Sequence, residues 1–120
     1  MRQIMVAGAF ALLAGCAGVP GFGPGPSLDT LQRACGEPHD YGRDGPAVQT
    51  ALHDAWVAQR HRALTQPQYC GFANALATHH AALGAQPDAA AREQWTTYLN
   101  EQRAQAISWR SRVDSSLRGG

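Results

Sequence analysis

The residues of this chain that could do chemistry are five histidines, one polar loop and three cysteines. The loop runs from Glu37 to Pro46 and gathers His39, Asp40, Tyr41, Arg43 and Asp44 within six positions. Turn formers dominate it. Loops carry binding and catalytic groups more often than regular elements do, but they are also polar by default. His79 and His80 are adjacent, so on a helix they point about 100° apart and do not easily face one ion. His53 and His61 lie two helical turns apart, too far for one zinc. His39 with His53 or His61 and one of His79 and His80 is an open metal-binding alternative that no spacing demands. No phosphate-cradling glycine loop, C-x-x-C pair or nucleophile elbow occurs. The expectation is a protein that is not an enzyme, with no metal, no cofactor and no identified small-molecule substrate.

The cysteines are more informative. Cys16 directly follows Leu13-Ala14-Gly15, behind Arg2 and an apolar run from Ile4 to Leu13. That order is a charged n-region, a short h-region and a small-residue cleavage site. The run is about half the ~20 residues that span a bilayer, so it is not read as a permanent transmembrane helix. Leu13-Ala14-Gly15-Cys16 resembles the lipobox of bacterial lipoproteins. The resemblance implies that the Cys16 thiol takes a diacylglyceryl group, residues 1–15 are removed and the new amine is acylated. In that class an aspartate after the cysteine commonly retains the protein at the inner membrane. Ala17 stands there, which implies the outer membrane, facing the periplasm. An ordinary secretory signal with a chance cysteine is the alternative.

Removal of residues 1–15 from a chain of 120 leaves 105, enough for one small domain on a tether. Burial at that size is partial, so a staple would help. Cys35 and Cys70 remain as an even pair in an exported chain, and a disulfide between them is expected. In the chain-entropy model it is worth roughly 3–4 kcal/mol. All ten basic residues are arginine, against nine acids, for a formal charge of +1. Such balance offers no electrostatic case for nucleic acid.

Residues 17–26, Ala-Gly-Val-Pro-Gly-Phe-Gly-Pro-Gly-Pro, hold neither helix nor sheet strand and form a tether. The ordered domain is expected over 27–120. Ser27 is the N-cap of a short helix with Leu28, Leu31 and Cys35 on one face, ended by Gly36. Pro46 opens a second helix to about Leu64, with Val48, Leu52, Ala55, Trp56 and Ala63 as its apolar stripe. Thr65-Gln66-Pro67 breaks and restarts the chain. The third helix runs to about Leu83, with Tyr69, Phe72, Leu76 and Leu83 at helical spacing and Gly84 beyond. Asp88 starts the last helix, which runs to about Ser116. The fold expected is all-α: a short helix plus an antiparallel three-helix bundle.

On the last helix Trp95, Leu99, Gln102, Ala106, Trp109, Val113 and Leu117 step by fours and threes, a near-heptad seam. It packs in the core or, where the shorter helices leave it uncovered, meets a partner. Trp95, Leu99, Trp109, Arg112, Val113 and Leu117 are therefore the candidate partner-binding residues. The function expected is a lipid-anchored, non-enzymatic helical module binding another envelope protein. An inhibitor-like or structural lipoprotein acting through the His39–Asp44 loop is the alternative. Thr65-Gln66 before Cys70, with Trp95 or Trp109 later, is similar to a pattern in small exported lysozyme inhibitors. The spacing here is shorter, and the cysteine that closes that pattern after the tryptophan helix is absent.

Overall fold

The computed structural model describes residues 25–114, which form four α-helices and no strand. The lipobox, the tether up to residue 24 and Leu117 lie outside the described residues. Helix α1 is Leu28–Arg33, α2 is Gly45–Arg60, α3 is Gln66–His79 and α4 is Ala89–Ser111. A 3-10 turn, Gly42–Asp44, leads into α2, and a π turn, His80–Gly84, extends α3. The fold is all-α with a helical bundle.

Three of the four helices start where a side chain satisfies a free backbone donor; α2 has no such cap and instead carries Pro46, which has no N–H to satisfy, at its start. The Ser27 hydroxyl accepts from the Thr30 N–H at 3.1 Å. Thr65 and Gln68 form a reciprocal capping box, at 3.2 and 2.8 Å. The Asp88 carboxylate accepts from the Ala91 N–H at 2.9 Å. Thr65 is thus an N-cap, and Gln66 reaches back to the Ala34 carbonyl at 3.3 Å.

The second helix ends four residues before Leu64, the end expected from sequence. Arg62 turns into the left-handed region, with φ at 70°. Its N–H bonds to the Gln59 carbonyl and that of Ala63 to the Ala58 carbonyl, a Schellman motif without glycine. A non-glycine residue there costs about 1–2 kcal/mol, which the two end bonds and the burial of Leu64 offset.

Helix α2 packs against the other three. Val48, Ala51, Leu52, Ala55 and Ala58 on α2 are all fully buried. Against them lie Leu31, Tyr69, Phe72 and Leu76, and, from α4, Trp95, Leu99 and Ala106. Helices α2 and α4 run the same way, since Asp44 meets Trp95 and Asp54 meets Arg110. Helix α3 runs against α4, with His79 stacked on Tyr98 and Phe72 edge-on to Trp109. Cys35 and Cys70 are joined by a disulfide, their Cα atoms 5.3 Å apart. It ties the end of α1 to the first turn of α3. Beside it the buried Tyr69 hydroxyl donates to the Leu31 carbonyl at 2.7 Å.

Candidate functional site

The densest polar cluster sits where the loop before α2 meets the π turn and α4. Two anchors hold the loop. The Gln32 side chain accepts from the His39 N–H at 2.9 Å and donates to the His39 carbonyl at 3.2 Å. At the other end the Trp95 indole N–H donates to Asp44 at 3.1 Å. Between them Asp40 accepts from the Gly42 N–H at 2.8 Å, and Gly42 itself adopts a positive φ of 58°.

His39 Nε2 lies 2.9 Å from His80 Nδ1, and His80 Nε2 lies 3.7 Å from Asp44 Oδ2. One hydrogen is shared between the two rings, so one imidazole donates and the other accepts. Tyr41, 2% exposed, packs its ring against both imidazoles. Its hydroxyl is buried with no hydrogen-bond partner among the described residues. Burial, and then the nearby Tyr98, push the Tyr41 phenol well above its ordinary value. Burial also lowers His80, and His39 lowers it further, while Asp44 and Asp40 pull the other way. His80 is therefore a neutral imidazole at neutral pH.

The π turn makes this packing fit. At Gly84 a Cβ would lie 2.6 Å from the His80 ring and 2.8 Å from the Trp95 ring. Arg92 donates to the Gly84 carbonyl at 2.9 Å and closes the corner. A shallow depression of about 270 Å³, lined by Arg43, Asp44, His80 and Arg92, lies outside it. His39 and His80 share a hydrogen bond, while Asp44 lies beyond hydrogen-bond reach of His80 and acts on it only through charge. Neither imidazole is hydrogen-bonded to a serine, threonine or cysteine side chain among the described residues. Both His80 nitrogens face other side chains. Among the described residues no group of three histidine, cysteine or acidic side chains is placed to hold a metal ion.

Of the residues singled out in the sequence, His39, Tyr41, Asp44 and His80 come together. His53 and His61 do not join them. His53 stacks on Trp56 along α2, and His61 is exposed at the end of that helix. The candidate partner residues separate. Trp95 and Leu99 are core residues, 1% and 5% exposed, so they are not a partner surface in this fold. The reason is that α2 and the π turn cover them from both sides. Trp109 is half-buried, with Phe72 edge-on at 5.2 Å. Val113 is half-buried and Arg112 exposed, both just beyond the end of α4. Among the described residues the large apolar side chain that is well exposed is Ile107, at 49%.

Sequence reasoning missed Asp54, which lies off the apolar stripe of α2. It is 8% exposed and pairs with Arg110 at 2.7 Å, while Arg110 also holds Asp114 at 3.2 Å. The side-chain hydrogen bond to Asp54 raises Arg110 further above its already high value. No signal in the sequence joins residues so far apart. Compared with known proteins, the chain matches no family model, no curated protein and no solved structure.

Proposed function

We propose that this chain is a lipid-anchored, non-enzymatic binding module of the bacterial envelope. Cys16 carries the lipid, the Gly/Pro segment gives reach, and the loop over 38–44 meets another envelope protein. The anchor follows from Leu13-Ala14-Gly15-Cys16, and Ala17 directs it to the outer membrane. The observation that carries the binding reading is the loop held at both ends. Asp40, Gly42 and Arg43 are exposed, while the residues on either side of this tip are fixed by Gln32, His80 and Trp95. A tip already ordered in the free protein loses little entropy on binding, and its affinity rises accordingly. The imidazole pair is read as part of this support, since its nitrogens are directed at one another and at Asp44.

A second surface is favoured by Ile107 and the half-buried Trp109, which keep the end of α4 as the alternative contact. Photo-crosslinkers at Arg43 and at Ile107 in the intact envelope distinguish the two. Adducts from Arg43 support the loop, and adducts from Ile107 alone move the contact to α4. Adducts from neither refute the binding reading.

A further inference from the structure

On α2, His53, Trp56 and Arg60 form one strip at helical spacing. The His53 and Trp56 rings stack with centroids 5.6 Å apart, and the Arg60 guanidinium lies 4.8 Å over the Trp56 ring. The first described residues run along the same side of the helix. Leu28 faces Gly45, the Pro26 carbonyl accepts from Gln49 at 3.1 Å, and Gly25 lies on the His53 ring. A Cβ at Gly25 would sit 2.8 Å from His53 Nε2, and φ there is +86°. The tether therefore joins the domain at this strip.

Gly25 lies nine positions after Cys16, which is about 30 Å at full stretch. A domain of this size is itself about 30 Å across. A lipid at Cys16 cannot be reached around the far side of the domain, so the side bearing the strip is kept toward the bilayer. Its charge suits that position. The one carboxylate on α2, Asp54, is buried and neutralised by Arg110. Arg60 and Arg62 form no ion pair among the described residues. Burial, and then Arg110, hold His53 below its ordinary value, so its ring contributes aromatic surface and not charge. Tryptophan suits the level of lipid headgroups, and arginine extends an apolar stem along them to reach phosphate.

We infer that the strip of His53, Trp56 and Arg60, with Arg62 beside it, is the face this domain lays on an anionic bilayer surface. The inference rests on the lipid-anchor reading of Cys16. It fixes how the domain is presented, because α2 is then the helix nearest the bilayer.

The test uses the acylated mature chain, isolated from membranes and incorporated in vesicles of phosphatidylcholine with phosphatidylglycerol. A nitroxide is placed at His61 beside the strip, or at Thr97 on the exposed face of α4. A nickel chelate carried on lipid reports how near each label lies to the bilayer. The His61 label should relax several-fold faster than the Thr97 label. In vesicles of phosphatidylcholine alone, or with Arg60→Glu and Arg62→Glu together, the His61 relaxation should fall, while staying above that of Thr97 because the tether still joins on the strip's side. Thermal unfolding of the double variant checks that it is folded. Equal relaxation of the two labels in protein that floats with the vesicles overturns the inference and leaves the anchor standing. A His61 label shielded from nickel because the tether covers the strip overturns it too. Protein that does not float with the vesicles overturns both.

Discussion

Alanine at two glycines should move stability in opposite directions, and the packing at each site decides the sign. Both lie in helical backbone without a positive φ, so alanine fits the chain itself. At Gly71 in α3 an added Cβ meets nothing within 4 Å. The substitution should raise stability by about 0.5–1 kcal/mol through helix propensity and a less mobile unfolded chain. At Gly84 the same Cβ lands on His80 and Trp95, which are 6% and 1% exposed. Those rings must retreat by roughly 0.6–0.8 Å to regain the 3.4 Å of ordinary contact. Overpacking of this kind costs about 1–3 kcal/mol. Displacing Trp95 also weakens its bond to Asp44, worth about 1 kcal/mol. Set against the gain in propensity, Gly84→Ala should lose about 2 kcal/mol. At 4–8 °C per kcal/mol for a domain of this size, its Tm should fall by about 8–16 °C. Gly71→Ala should rise by a few degrees. Circular dichroism melts at neutral pH, without reductant, read both variants. A Gly84→Ala protein as stable as the parent would refute the packing described at the π turn.

Other outcomes follow from the same contacts. Replacing both Cys35 and Cys70 by serine should cost about 3–4 kcal/mol, seen as a lower denaturant midpoint than that of the oxidised parent. Arg110→Ala leaves the buried Asp54 unpaired and should cost about 2–3 kcal/mol; adding Asp54→Ala should recover part of it in a double-mutant cycle. His80 and His53 are both held below their ordinary values in the fold, so their neutral forms favour the native state. That stability is full above the unfolded value of about 6.5 and is lost as pH falls through the lower folded values, so Tm should drop between pH 7.5 and 5. His80→Gln should flatten part of this slope, and an unchanged slope would count against the burial of His80.

The helix starts were legible in the sequence because caps are local. Ser27, Pro46 and Asp88 mark their helices within a few residues, and the break at Thr65-Gln66-Pro67 marks the third. The end of α2 was not legible, because the chain turns at Arg62 where no glycine announces it. Parity, the export signal and the core-facing position of Cys35 paired it with Cys70, and the two are bonded. The spacing of Trp95, Leu99 and Ala106 identified a shared face but not what covers it; α2 and the π turn do. The contacts between His39 and His80, and between Asp54 and Arg110, join residues 41 and 56 positions apart, beyond any local pattern. The polar loop stood out by density, but its rigidity comes from Gln32 and Trp95, whose polar roles depend on the tertiary fold.

The central claim is that the domain is held at a membrane by Cys16. Intact-mass and peptide mass spectrometry of the protein extracted from the envelope tests it most directly. The account predicts a mature chain beginning at Cys16, with a diacylglyceryl group on sulfur, an acyl group on the new amine and residues 1–15 gone. Cys16→Ser should leave the protein uncleaved at that bond and without lipid. A mature protein with an unmodified Cys16 thiol, or cleaved elsewhere, would contradict the account.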